Sequence, residues 1–368
     1  MVNERGNQSH RVLDRWFGCP AIFLLGLLRK SRPFPESVKS VGFLMFGAIG
    51  DALLASSLVH DIQATFPLAQ TFVYVSDANR NLFDIVDGPS NVITAPIRHP
   101  LRALQRIRRQ KHDLLIDVGQ WPRISALLAA LSGATFTVGF QTPGQSRHWA
   151  FDAVAKHSNN CHELNNFREL LRCIGIPSVA LPRFRKDLLA TRTSNDRSPY
   201  IVFHPWASGY RCYLREWPME RWIGLAHFVL DYGYDILITG GSADSIRAAT
   251  LAMSIGNTKR VQILAGRASL SETSSAILNA AAAVTVNTGI MHIAALLGRP
   301  TVALHGPTNP LRWGPVGNAS VVLGPGADTG CAYLNLGFEY PAAPPDCMGK
   351  ISIQETVDAL ITLLASDR

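Results

Sequence analysis

The 368-residue sequence lacks most of the features that would fix its class quickly. Its six cysteines, Cys19, Cys161, Cys173, Cys212, Cys331 and Cys347, include no C-x-x-C pair and no Cys/His zinc spacing. Reduced thiols in a cytosolic interior are therefore the simplest reading, with Cys331 and Cys347 the one pair to examine for a disulfide or a metal. There is no D-x-D pair of carboxylates for a metal, no low-complexity tract and no short repeat. No apolar run reaches the roughly 17–25 residues that span a bilayer as a helix. Acid is the scarcer charge: 27 Asp and Glu face 35 Lys and Arg, for a formal charge of +8. Acidic partners follow in some form, such as nucleic acid, anionic lipid or phosphorylated small molecules. With 47% hydrophobic and 17% charged residues the composition is that of a globular chain, and its length exceeds one small core, so two domains are expected.

The chain alternates strand and helix patterns. Residues 41–46, 71–75, 113–118 and 135–138 read as strands, and 51–66 as a helix closed by Pro67. A polar, aperiodic stretch over 186–199 is the best linker. A second alternating series follows, with strands at 200–204, 235–239, 261–264, 283–286 and 301–304 and helices at 218–232, 271–281 and 353–365. Such alternation with short turns predicts α/β architecture with parallel, doubly wound sheets. The expected layout is an N-terminal segment 1–35, one Rossmann-like domain over 36–190, a second over 199–350, and a C-terminal helix over 351–368. Two such sheets would leave a cleft for a ligand.

At the N-terminus, Trp16 to Leu28 is largely apolar and is flanked by Arg11, Arg15, Arg29, Lys30 and Arg32. It has no small-residue cleavage site of a signal peptide. Two readings stay open: an interfacial segment on anionic lipid, or a helix packed on the body of the protein.

The chemistry-bearing segments sit where strands end. Phe46-Gly47-Ala48-Ile49-Gly50-Asp51 joins the first strand to the first helix, without the third glycine of the dinucleotide fingerprint. Asp51 in a first turn complements the helix dipole in any case, by roughly 0.3–1 kcal/mol. His204-Pro205-Trp206-Ala207-Ser208 ends another strand and is followed by Arg211, Arg215 and Trp217-Pro218. Gly240-Gly241 follows the next strand. The longest signal is V-N-T-G-I-M-H-I-A-A-L-L-G-R-P-T-V-A-L-H-G-P-T, Val286 to Thr308, a strand–turn–helix–strand unit. A phosphate at Thr288, Gly289 and Ile290 would meet free backbone N–H groups, the Thr288 hydroxyl and the His292 imidazole. A lone helical histidine is also an ordinary core residue. Arg98, Arg102, Arg106 and Arg109 form one stripe of a helix with Leu101, Leu104 and Ile107 across from it. That stripe reads as a solvated face or as a contact with a phosphorylated glycolipid or anionic membrane. No motif or aromatic platform for nucleic acid accompanies it.

Val286 to Thr308 resembles the nucleotide-binding signature of the lipopolysaccharide heptosyltransferases, glycosyltransferase family 9, whose usual form is close to N-D-T-G-P-M-H-L-A-A-A-L-G-x-P-x-V-A-L-F-G-x-T. The Gly47–Asp51 segment resembles that family's S-A-I-G-D-x-L-L-A-T, His204–Ser208 its H-P-G-A-S, Gly240-Gly241 its G-G-P, and Asp117 with Gly119-Gln120 its D-L-Q-G. The resemblance implies a GT-B fold and inverting, metal-independent transfer from a nucleotide sugar, ADP-heptose by family, to a lipopolysaccharide core or related glycan. It makes Asp51 the general base. It makes Ser208, Arg215, Gly240, Gly241, Asn287, Thr288, Gly289, Ile290 and His292 donor-binding. Gly50, Asp117, Gln120, Arg98 and Arg102 become acceptor-binding, with turn capping an alternative for Asp117. No cofactor beyond the substrate sugar nucleotide and no metal is expected, and the protein is expected in the cytoplasm, in the peripheral case at the inner face of the inner membrane. Three departures stand out. Leu214-Arg215-Glu216-Trp217 stands where K-R-W is expected, so Arg215 is the nearest substitute cation and Arg211 a second candidate. Trp206 replaces a glycine, adding bulk where backbone should be bare. Asn287 replaces an aspartate, keeping hydrogen bonding but removing a charge. A sugar-nucleotide epimerase and a non-catalytic sugar-nucleotide or glycolipid binder are the rival readings.

Overall fold

The computed structural model describes residues 8–28, 32–189, 198–256, 259–326 and 329–366. They pack as two units that divide at residues 183 and 184.

The first unit contains α1 (Gln8–Leu28), β1 (Ser40–Met45), α2 (Ile49–Ala55), α3 (Ser57–Thr65), β2 (Gln70–Val75), β3 (Asn91–Thr94), α4 (Pro100–Arg108), β4 (Leu114–Asp117), α5 (Arg123–Leu131), β5 (Phe136–Gln141), β6 (Ala153–Lys156) and α6 (Glu163–Arg172). Its six strands are ordered β3-β2-β1-β4-β5-β6, and every pairing is parallel. β1 is central, and Val41, Phe43, Leu44 and Met45 are fully buried. Helices cover both faces of a parallel sheet, so such a strand reads as a continuous apolar run rather than an alternating one. The helix expected over 51–66 is two helices. Ser56 and Ser57 hydroxyls donate to the carbonyls of Leu53 (2.7 Å) and Leu54 (2.8 Å), a local bond that competes with the helical ladder and breaks it there.

α1 realises the packed reading along one face. The Asp14 carboxylate accepts from the backbone N–H groups of Arg123 (2.8 Å) and Ile124 (3.2 Å), capping α5, and pairs with the Arg123 guanidinium at 2.9 Å. A Cβ on Gly18 would meet Arg123 Cβ at 2.8 Å, and one on Gly26 would meet Trp149 Cβ at 2.9 Å. These glycines are what let the helix lie down, and Ile22 enters the core beside Leu104, Ile107 and Ala126. Arg29 and Lys30 of the basic flank lie outside the described residues. Among those residues no helix is long and apolar enough to cross a membrane.

The second unit contains α7 (Lys186–Leu189), β7 (Tyr200–His204), α8 (Met219–Asp231), β8 (Asp235–Ile238), α9 (Ser245–Ile255), β9 (Val261–Ile263), α10 (Leu270–Leu278), β10 (Ala282–Val286), α11 (Gly289–Leu296), β11 (Thr301–Leu304), α12 (Pro310–Trp313), β12 (Ser320–Leu323) and α13 (Ile353–Ser366). Its sheet runs β12-β11-β10-β7-β8-β9, again all parallel. The start of the expected linker is α7, which packs on α10; residues 190–197 lie outside the described set. Leu360, Leu363 and Leu364 of α13 belong to the core of this sheet.

The cysteines require a correction. Cys331 and Cys347 form a disulfide, with Cα atoms 5.8 Å apart, while Cys19, Cys161, Cys173 and Cys212 are not disulfide-bonded. The chain after β12 folds back along Gly306–Thr308: Ala332 N–H donates to Gly306 O at 3.3 Å and Leu334 N–H to Pro307 O at 2.7 Å. That return brings together two residues 16 apart, which spacing alone does not reveal.

Candidate active site

In the first unit the site is built at the carboxyl ends of β1, β2 and β4. Asp51 is the third residue of α2 and is half-buried. Its Oδ2 accepts from the Ala48 N–H at 3.2 Å and its Oδ1 from the Gln120 side-chain amide at 3.3 Å. A Cβ on Gly47 would come within 3.0 Å of the Asp51 Cβ, so the tight β1–α2 turn that aims this carboxylate requires glycine there.

Two residues that sequence reasoning did not single out hold the turn and its neighbour. Asn79, with no exposed surface, donates to Met45 O (2.7 Å) and Gly47 O (3.2 Å), while its Oδ1 accepts from Ser76 N–H at 3.0 Å. The only trace of it in sequence is a polar Ser-x-x-Asn at the end of a strand. Arg147, also fully buried, donates to Asp117, to Gly119 O, to Pro122 O at 3.0 Å and to Ser125 Oγ at 3.2 Å. It arrives from a 3₁₀ turn after β5, too far along the chain for a local pattern to show.

Asp117 takes the capping role. Its carboxylate is fully buried, receives the Gly119 N–H at 2.9 Å and pairs with Arg147, so of its two open roles the structure favours turn capping over contact with an acceptor. Burial pushes its carboxyl above the usual range, while the Arg147 guanidinium and the Gly119 N–H pull the other way. Together they fix the Gly119–Pro122 loop, which Thr142 also grips through the Gln120 carbonyl. Gln120 links this loop to Asp51. Gly50 is buried in the first turn of α2. Arg98 and Arg102 lie in the loop and first turn after the edge strand β3, exposed. Leu101, expected on the apolar side of α4, is 76% exposed, and Ala103 is buried in its stead.

In the second unit the β10–α11 turn behaves differently. Thr288 is the N-cap of α11 in extended conformation, makes no side-chain cap bond, and its buried hydroxyl has no hydrogen-bond partner among the described residues. Helix N-termini leave their first N–H groups unsatisfied, so Thr288, Gly289 and Ile290 present donors and a positive dipole end to an anion. His292 is 2% exposed and lies within the helix packing rather than on its surface.

Asn287 is half-buried and donates from Nδ2 to His305 Nδ1 (3.1 Å) and to Thr308 Oγ1 (3.0 Å). Burial drives His305 down to about 3, so its imidazole is neutral and Nδ1 can accept, with Nε2 facing the Met291 sulfur at 3.4 Å. His305 stands where the quoted family motif has phenylalanine. Two departures within this motif, Asn287 and His305, are therefore hydrogen-bonded to each other; the signal lay within the motif itself.

The loop after β7 is arranged by side chains. Trp206 is 6% exposed, its ring under the Arg247 guanidinium at 5.3 Å. A Cβ on Gly240 would meet that ring at 3.0 Å. The indole thus points into the core, and the expected bulk over bare backbone is corrected. Gly241 N–H donates to Asp244 at 2.8 Å. Arg215 donates to the carbonyl of exposed Ser208, and Arg211 lies over the Tyr340 ring at 5.3 Å. Both cations rise from this one loop.

Two parallel six-stranded sheets, each with polar groups and turn amides at its strands' carboxyl ends, are the architecture of the GT-B fold. Residues 101–332 match the model of glycosyltransferase family 9 (heptosyltransferase), and the chain belongs to that family and is a glycosyltransferase. It is 25% identical over 302 residues to lipooligosaccharide heptosyltransferase 2 of Haemophilus ducreyi, covering 75% of this chain and 85% of that protein. It is 35% identical over 241 residues to lipopolysaccharide heptosyltransferase 1 of Pseudomonas aeruginosa, covering 63% and 64%. The fold matches that of E. coli ADP-heptose lipopolysaccharide heptosyltransferase II with a TM-score of 0.72 at 20% identity, over 89% of this chain and 99% of that one. An E. coli heptosyltransferase determined with ADP matches at 0.70 and 20% identity, over 88% and 99%. Family membership sets aside the epimerase and the non-catalytic binder.

Proposed function

We propose that the chain transfers a heptose or related sugar from an ADP-sugar to a lipopolysaccharide core or related glycan, with inversion and without a metal ion. The observation that carries this is Asp51: an oriented carboxylate at a glycine turn, held by a backbone N–H and by Gln120. In this reading Asp51 takes the proton of an acceptor hydroxyl, whose oxygen attacks the anomeric carbon opposite the leaving diphosphate. The bond to the diphosphate breaks as the glycosidic bond forms. The negative charge left on ADP is met by the first-turn amides of α11, the Thr288 hydroxyl and a cation of the 206–216 loop, Arg211 or Arg215. An arginine can hold a diphosphate through two parallel hydrogen bonds. A nucleotide-sugar donor and a glycolipid acceptor would place the protein in the cytoplasm, at the inner face of the membrane.

The test is turnover of purified protein with ADP-, UDP- and GDP-sugars, including ADP-heptose, with and without truncated lipopolysaccharide, in EDTA. Acceptor-dependent release of ADP from ADP-heptose supports the reading. Release from a UDP- or GDP-sugar instead would overturn the donor, and loss of turnover in EDTA would overturn the metal-free scheme.

A further inference from the structure

α1 turns the wrong side to water. Over residues 11–28, at about 100° per residue, its outward arc, roughly 160° wide, is apolar. Leu13 (53% exposed), Trp16 (74%), Phe17 (73%), Leu24 (59%), Leu27 (68%) and Leu28 (81%) all lie on it. The polar residues are on the other side: Asp14 is turned inward onto α5. A surface helix of a monomer normally shows the opposite arrangement, and an apolar strip of this size marks a contact. The surroundings say with what. α4 and α5 pack together, α5 and α1 pack together, and Ile22, Ile107 and Ala126 share one core cluster. The three helices therefore form one layer over the same face of the sheet. Beside it, exposed Arg98 precedes α4 and exposed Arg102 lies in its first turn.

We propose that this layer is a membrane-docking surface, with α1 lying in the headgroup region of an anionic bilayer and Arg98 and Arg102 set against lipid phosphates. Indole and phenyl side chains at such a boundary place an apolar body in the acyl region, and each arginine adds attraction to an anionic surface. A second copy of the chain is the less fitting occupant. In a twofold contact the same patch meets itself, which would set these arginines against their own kind. The inference goes beyond the assigned chemistry and does not depend on it.

The experiment is co-flotation of the full chain with extruded vesicles of equimolar phosphatidylcholine and phosphatidylglycerol, and of phosphatidylcholine alone, at low and high salt. No acceptor glycan is present, so failure of the proposed reaction leaves the result intact. The wild type is expected to float with the anionic vesicles, less with the neutral ones, and less again in high salt. The Trp16→Glu/Phe17→Glu variant should partition about tenfold less or worse, with its thermal unfolding unchanged because both side chains already face solvent. Leu24→Ser/Leu27→Ser repeats the test one turn and more away and should also weaken flotation. Wild type that does not float, or variants that float equally well, would overturn the proposal. So would a wild-type dimer in sedimentation that Trp16→Glu/Phe17→Glu dissociates, since a second copy would then cover the face.

Discussion

The candidate sites of the two domains solve opposite problems. Around Asp51 the first domain is closed and internally satisfied: the carboxylate is held by Ala48 and Gln120, the turn by Asn79, and the Gln120 loop by the buried Arg147–Asp117 pair. Around Thr288 the second domain is left open, with a hydroxyl lacking a partner among the described residues and a helix start without a side-chain cap. A base must be aimed before the substrate arrives, so its surroundings are filled with protein hydrogen bonds. An anion site must keep its donors in reserve for the ligand.

The sharpest break of this comparison is Asp51→Asn. Asparagine still accepts from the Ala48 N–H, so the turn should survive and thermal unfolding should stay where it is. Turnover should fall about 10²–10⁴-fold with little change in substrate KM. Steady-state kinetics beside a melting curve reads both. Wild-type turnover in the variant would remove Asp51 as the base.

Next in size is Arg147→Met, which leaves the Asp117 carboxylate buried without its partner. Breaking such a pair from one side costs about 3–5 kcal/mol, whereas replacing both members by apolar groups costs far less. Urea unfolding should therefore rank Arg147→Met below the double variant Asp117→Leu/Arg147→Met. If the first domain's site is held by this pair, turnover in Arg147→Met should also fall through the loosened Gln120. A variant of normal stability would show that the loop is held by other contacts.

What was legible in the sequence follows the same division. Central parallel strands such as Tyr200–His204 and Thr301–Leu304 are buried on both faces and read as unbroken apolar runs. β3, β6 and β12, each at a sheet edge, are four residues long and only partly buried, so they carry no period. Asp51, Asn287 and Thr288 to Ile290 stand in turns whose glycines and polar residues announce themselves. Arg147, 30 residues from Asp117, acts by meeting a distant partner, and distance along the chain hides such a pair. Asp117 was visible as a residue with two roles open, and only its burial beside Arg147 favours turn capping, because burial is a property of the fold.

The Asn287–His305 bond makes the third prediction a cycle. Asn287→Asp would set a carboxylate about 3 Å from an imidazole now held near 3 by burial, favouring the protonated ring. The His305 pKa, followed by NMR, should rise, and donor KM should worsen. His305→Phe removes the acceptor and frees the Asn287 amide, again with loss. The double variant, which matches the family motif at both positions, should recover, giving a coupling of about 0.5–3 kcal/mol in kcat/KM. Additive losses would mean the two departures are independent.

The smallest effect tests the open site of the second domain directly. Thr288→Val keeps the shape and removes only the hydroxyl. Were that hydroxyl part of an internal network, the loss would leave a buried partner unsatisfied and cost about 1–3 kcal/mol of stability. Since it has no partner among the described residues, the melting temperature should hold or rise slightly, and the deficit should appear only in donor binding, about tenfold or less in Kd for ADP by calorimetry. An unstable variant that binds ADP normally would reverse the assignment, making Thr288 part of the scaffold and leaving the first-turn amides of α11 to hold the diphosphate alone.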